Sequence, residues 1–102
     1  MKEVKAIFQP FMLKPVLEAL ERVDHLPAAT VSEVDGYSVV HPEYTPKPKT
    51  KLEMMIPDEL VDAVVQAIQT GARTGNPGDG RIFVTDVEAT VKIRTGVKGT
   101  AD

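Results

Sequence analysis

Residues 51–68 read KLEMMIPDELVDAVVQAI, and the period of their apolar residues changes once, at Pro57. Before it, Leu52, Met54 and Ile56 occupy every second position, the spacing of one face of a strand. After it, Leu60, Val61, Val64, Val65 and Ile68 recur at helical spacing and form one apolar stripe. Asp58 is expected to cap the helix start and Gly71 to stop its end. The segment is therefore a strand feeding an amphipathic helix, with one flank of each turned to a core.

The same order recurs upstream. Residues 2–9 alternate, with Val4, Ala6 and Phe8 on one face and Lys5, Ile7 and Gln9 on the other, until Pro10 ends the strand. A helix follows, with Pro15 in its first turn, Val16, Ala19, Leu20 and Val23 inward, and Glu18, Glu21 and Arg22 outward. Residues 24–27 form a loop, and the β-branched stretch TVSEVDG, Thr30 to Gly36, reads as a second strand. Residues 38–49, SVVHPEYTPKPK, carry three prolines and predict an exposed loop without ladder pairing. IFVTDV, residues 82–87, is the last main strand. Residues 90–96, TVKIRTG, predict a short extended stretch with Lys92 and Arg94 on one side, and GVKGTAD a frayed end.

The order β-α-β-β-α-β predicts a single α+β domain over residues 1–102, a ferredoxin-like subunit with an antiparallel sheet and two helices on one face. That face takes Val4, Ala6, Phe8, Leu52, Met54 and Ile56. The other holds Lys5, Ile7, Lys51, Glu53 and Met55, a mixture that suits a partner subunit better than bulk water.

Composition bounds the function. The 102 residues are 42% hydrophobic and 26% charged, ordinary for a soluble domain. A net charge of -3 gives no reason to expect a nucleic-acid partner. The absence of cysteine excludes disulfides, thiolate metal sites and a cysteine nucleophile. The N-terminal residues lack the apolar run of a signal peptide and no stretch is long enough to insert in a membrane, so a cytoplasmic protein is expected.

Residues 73–84, RTGNPGDGRIFV, are the strongest chemical feature. Glycines let consecutive N–H groups converge on an anion, and Arg73 and Arg81 add charge. The alternative is a tight helix-to-strand connection. No Gly-Lys-Ser/Thr ending occurs and a strand follows, so neither a Walker A nor a dinucleotide fingerprint fits. Lys92 and Arg94 could pair with phosphate oxygens or simply form a solvated basic edge. His25 and His41 have no metal-ligand spacing. Glu53 could pair with Lys51 of a neighbouring strand or subunit, or accept from a ligand, and Asp58 and Glu59 suit a helix start. No catalytic set emerges, and no enzyme activity is expected.

These pieces together resemble the PII signal-transduction family. The resemblance is carried by KEVKAIFQPFMLKPVLEAL, TVSEVDGY, KLEMMIPDELVDAVVQAI, RTGNPGDGRIFVTDVE and the terminal VKIRTG. It implies a homotrimer that binds an adenine nucleotide between subunits and regulates a protein partner through its central loop, with no prosthetic group. Residues 38–49 would be a short T-loop, 74–81 the phosphate-wrapping B-loop and 90–102 the C-terminal segment. The implied nucleotide contacts are Thr74, Gly75, Gly78, Asp79, Gly80 and Arg81 at the phosphates. Lys92 and Arg94 would come from the neighbouring subunit, and Ile7, Thr30, Gly36, Tyr37, Ser38, Glu53 and Met55 would lie on the adenosine side. The chain departs from the family pattern at Val39 and Val40, where arginine and glutamine are usual, at Asn76, where lysine is usual, and at Lys92, where arginine is common. Tyr44 is a candidate modified tyrosine by position only. These departures point away from 2-oxoglutarate and the uridylylation switch, toward ADP or AMP as well as, or instead of, ATP, with bicarbonate as a candidate second ligand. A trimeric CutA-like metal-tolerance protein is the competing resemblance, and it leaves the glycine loop unexplained.

Overall fold

The computed structural model describes residues 1–40 and 45–99. The elements are β1 (Lys2–Phe8), α1 (Leu13–Glu21), β2 (Thr30–Gly36), β3 (Lys47–Ile56), α2 (Val61–Ala72), β4 (Gly80–Asp86), β5 (Thr90–Val91) and β6 (Lys98–Gly99). One-turn 3-10 segments, Pro10–Met12 and Asp58–Leu60, lead into the two helices. The main sheet has the order β2-β3-β1-β4, and β5 and β6 form a separate two-stranded ribbon. Every pairing is antiparallel. This is the ferredoxin-like arrangement the alternating periods predict.

The core follows from those periods. Val4, Ala6 and Phe8 of β1 and Leu52, Met54 and Ile56 of β3 are buried against Val16 and Leu20 of α1 and Val64, Ile68 and Ala72 of α2. All six strand positions expected inside are inside. The helices pack closely at Gly71, where an added Cβ would stand 2.7 Å from the Val16 Cα and 2.8 Å from the Pro15 carbonyl oxygen. Gly71 therefore does not stop α2, as expected from the sequence; it lies inside the helix and permits close helix packing, while Arg73, with extended backbone, ends it.

Three other expectations are corrected. β3 begins at Lys47, not Lys51, so the last three residues of the expected loop pair with β2: Gly36 with Lys47, Asp35 with Pro48 and Val34 with Lys49. β1 runs out at the Phe8–Thr50 pair, so residues 47–49 have a strand on one flank only. A proline is tolerated there because its missing N–H can point to the open flank. Asp58 is not a side-chain N-cap; its carboxylate instead accepts from the Met1 ammonium at 2.7 Å, which with Lys2 holds it below the usual carboxylate range. The C-terminal stretch is a hairpin. Thr90–Val91 pairs with Lys98–Gly99, and Lys92–Val97 turns between them, closed by Gly96 N–H to Lys92 O (2.7 Å) and Lys92 N–H to Val97 O (3.0 Å). Residues 98 and 99 are thus paired rather than frayed. Lys92 and Arg94 lie on a turn, so strand alternation does not set their directions.

Candidate functional site

The register of the sheet assembles its open face. One row across it is Thr30, Glu53, Lys5 and Phe83; the next is Ser32, Lys51, Ile7 and Arg81. Met55 sits one row beyond Glu53, opposite Glu3. Ile7, Thr30, Glu53, Met55 and Arg81, separated by up to 74 positions in sequence on their numbering, share this surface because residues of like parity in paired strands point the same way. Lys51 and Glu53 form an ion pair at 3.7 Å along their own strand. Phe83 is 45% exposed and Met55 42% exposed, which leaves this face unfinished as an aqueous surface.

At one end of the face the chain enters the loop between α2 and β4. Gly75, Gly78 and Gly80 have φ of +90°, +93° and +109°, a region in which a side chain is strained. The loop closes on Asp79. Its Oδ2 accepts the main-chain N–H groups of Thr74 (2.8 Å) and Gly75 (2.9 Å), and its Oδ1 accepts the Thr74 hydroxyl. The Thr74 hydroxyl first, then the two amides, hold the Asp79 carboxyl below its ordinary range, because all three donate to the ionised form. The Thr74 oxygen also accepts the Asn76 N–H at 3.2 Å. From outside, Lys49 Nζ donates to the Gly78 carbonyl at 3.0 Å. Lys49 was missed because its proline-rich context reads as loop; extending the Leu52 alternation backward would have placed it on β3.

Six of the expected site residues line two separate clefts of the chain. Ile7, Asp79, Gly80 and Arg81 line a cleft of about 410 Å³ between α2 and the start of β4. Met55 and Lys92 line another, of about 710 Å³, with His25 and Thr95 beneath the β5–β6 ribbon. On β1, the partners of Met55 and Arg81 are Glu3 and Ile7, four residues apart, or roughly 13 Å at ~3.3 Å per residue. Gly36 ends β2, and Tyr37 and Ser38 follow it, both exposed. Arg94 is exposed on the ribbon turn beside the fully exposed Ile93. His41 and Tyr44 lie outside the described residues. Among the described residues, no three His, Cys, Asp or Glu side chains gather as a metal site, and no helix is long and apolar enough to cross a membrane.

Comparison with known proteins decides the family. The model of the nitrogen regulatory protein P-II family matches residues 1–97. The chain belongs to the P-II family. It is 43% identical to the nitrogen regulatory protein P-II of Azospirillum brasilense, over 97% of this chain and 96% of that one. It is 41% identical to that of Haemophilus influenzae, over 94% of each. It is 40% identical to nitrogen regulatory protein P-II 1 of Escherichia coli K12, over 99% of this chain and 98% of that one. P-II proteins are regulatory proteins rather than enzymes. Between the two resemblances the sequence suggested, the match selects P-II over the metal-tolerance alternative.

Proposed function

We propose that this P-II protein is a cytoplasmic homotrimer that binds an adenine nucleotide between neighbouring subunits and signals to a protein partner through the loop after β2. The observation that carries this reading is the division of the cationic candidates. Arg81 sits with Asp79 and Gly80 of the glycine loop in a cleft against α2, and Lys92 lines a separate one with Met55 and the β5–β6 ribbon. One subunit presents two half-sites, and a second copy would supply the missing half to each. The exposed Phe83, Met55 and Ile93 support the same association, since such side chains favour burial against another copy.

The loop supplies phosphate-binding chemistry through main-chain N–H groups and the Arg81 guanidinium, which can bind two phosphate oxygens at once. Asn76 contributes no charge, so the site holds fewer cations than a loop with lysine there, and ADP and AMP are expected to bind as well as ATP. Occupancy changes what the β2–β3 loop presents to a partner, because Lys49, at the start of β3, is bonded to Gly78 of the phosphate loop. No bond is broken in this cycle.

Titration calorimetry with AMP, ADP and ATP tests the reading, repeated with Mg²⁺, 2-oxoglutarate and bicarbonate. Saturable nucleotide binding without turnover, lost in Arg94→Ala, is the expected outcome. An added effect of bicarbonate, with none from 2-oxoglutarate, would identify the second ligand. No binding of any adenine nucleotide would overturn the reading.

A further inference from the structure

We infer that Asp79 is the positioning residue of the 74–81 loop: its carboxylate binds the loop's own Thr74 and Gly75 and does not touch the ligand. The inference rests on the nucleotide reading and departs from the expectation that Asp79 is itself a nucleotide contact.

An acidic side chain within a phosphate-binding loop poses a problem. A free carboxylate beside a nucleoside diphosphate repels it, and like charges at short range in a partly dry cleft cost far more than in water. Asp79 keeps its charge, but its oxygens are turned to the loop's own donors rather than to a ligand. Its two oxygens take three donors, the Thr74 and Gly75 amides and the Thr74 hydroxyl. Charge-assisted bonds of this kind are about twice as strong as neutral ones. The carboxylate occupies the place in the loop's amide concavity that an outside anion would otherwise take.

The geometry has two consequences. The Thr74 and Gly75 amides are already committed, so they are not phosphate donors. The donors left at this end are the amides after Pro77 and the Arg81 guanidinium. The bonds also span four and five residues, closing a ring around Asn76 and Pro77. Gly75 and Gly78, both at positive φ, would otherwise leave this segment a broad range of conformations. With the ring closed, less ordering remains to be done when ligand arrives.

The test measures amide hydrogen exchange at Thr74 and Gly75 by NMR, and ADP affinity by calorimetry, in the full-length protein. The variants are Asp79→Asn, Thr74→Val and Arg81→Ala. Asp79→Asn is expected to speed exchange at both amides about tenfold or more and to weaken ADP by about tenfold, the scale of one charge-assisted bond. Thr74→Val keeps both amide bonds and should produce a smaller change of each kind. Arg81→Ala should weaken ADP while leaving exchange at Thr74 and Gly75 as in the parent. Unchanged exchange in Asp79→Asn would overturn the inference, as would faster exchange with undiminished ADP affinity. Failure of the parent protein to bind ADP sinks the nucleotide reading instead, and the exchange rates then still decide whether Asp79 holds the loop.

Discussion

A Cβ placed on Gly80 would lie 1.8 Å from the Ile7 carbonyl oxygen, so β4 meets β1 backbone to backbone at the point where the loop enters the sheet. Gly80 also sits at φ +109°. Gly80→Ala is therefore expected to cost about 2 kcal/mol or more through the clash and the strained backbone together. Urea unfolding should show a lower midpoint at an unchanged slope. An unaltered midpoint would show that β4 can begin elsewhere.

Gly71→Ala sets two effects against each other. Alanine is favoured over glycine inside a helix by about 1 kcal/mol. The new Cβ, however, meets backbone atoms of Pro15 and Val16 at 2.7–2.9 Å, and backbone cannot rotate aside. Overpacking of this kind costs about 1–3 kcal/mol. Net destabilisation is expected, read as a fall in Tm, and a rise in Tm would mean that α1 shifts freely on α2.

The Asp79 carboxyl gives a pH signature. Its folded pKa is depressed by the Thr74 hydroxyl and the two amides. The stability this supplies is fully present above the unfolded value of about 3.9 and is lost as pH falls through the lower folded value. A carboxyl-detected NMR titration should place the Asp79 midpoint below about 3.9, with the Thr74 amide shift following it. A midpoint at or above the ordinary value would contradict the bonding pattern.

Phe83 stands on the open face opposite Lys5. If that face is a subunit interface, Phe83→Glu removes apolar burial and inserts charge. Burying a Phe is worth about 1.5–3 kcal/mol, so association should weaken at least about tenfold. Light scattering across a dilution series should then show smaller species than the unsubstituted protein gives at the same concentrations. An identical profile would remove Phe83 from the interface.

The layers of the fold were legible because the apolar period is clean in β1, β3 and α2; all six inward strand residues named from the sequence are buried, with Val64 and Ile68 of α2, while Leu60, Val61 and Val65 are partly buried against them. The errors came where a local signal meets a tertiary context. Pro48 argued against a strand, but it lies beyond the end of β1. Gly71 looked like a stop signal, although its lack of a side chain serves the α1 contact. KIRTG alternates in polarity, yet the Gly96 N–H to Lys92 O bond folds it into a turn. For the candidate site, glycines and flanking arginines drew attention to the 73–81 loop. They could not tell that Asp79 faces inward, because hydrogen bonds to Thr74 and Gly75 leave no mark in the sequence pattern.

The most direct measurement is subunit complementation. Arg81→Ala and Arg94→Ala are each expected to lose tight ADP binding when pure. Unfolded together in equal amounts and refolded, copies of the two variants would assort at random into the proposed trimer. A site built from Arg81 of one copy and Arg94 of its neighbour is then intact in about one quarter of cases. Recovery of ADP sites with parental affinity at about that fraction is the predicted result. A mixture that binds no better than either pure variant would contradict a nucleotide site shared between subunits.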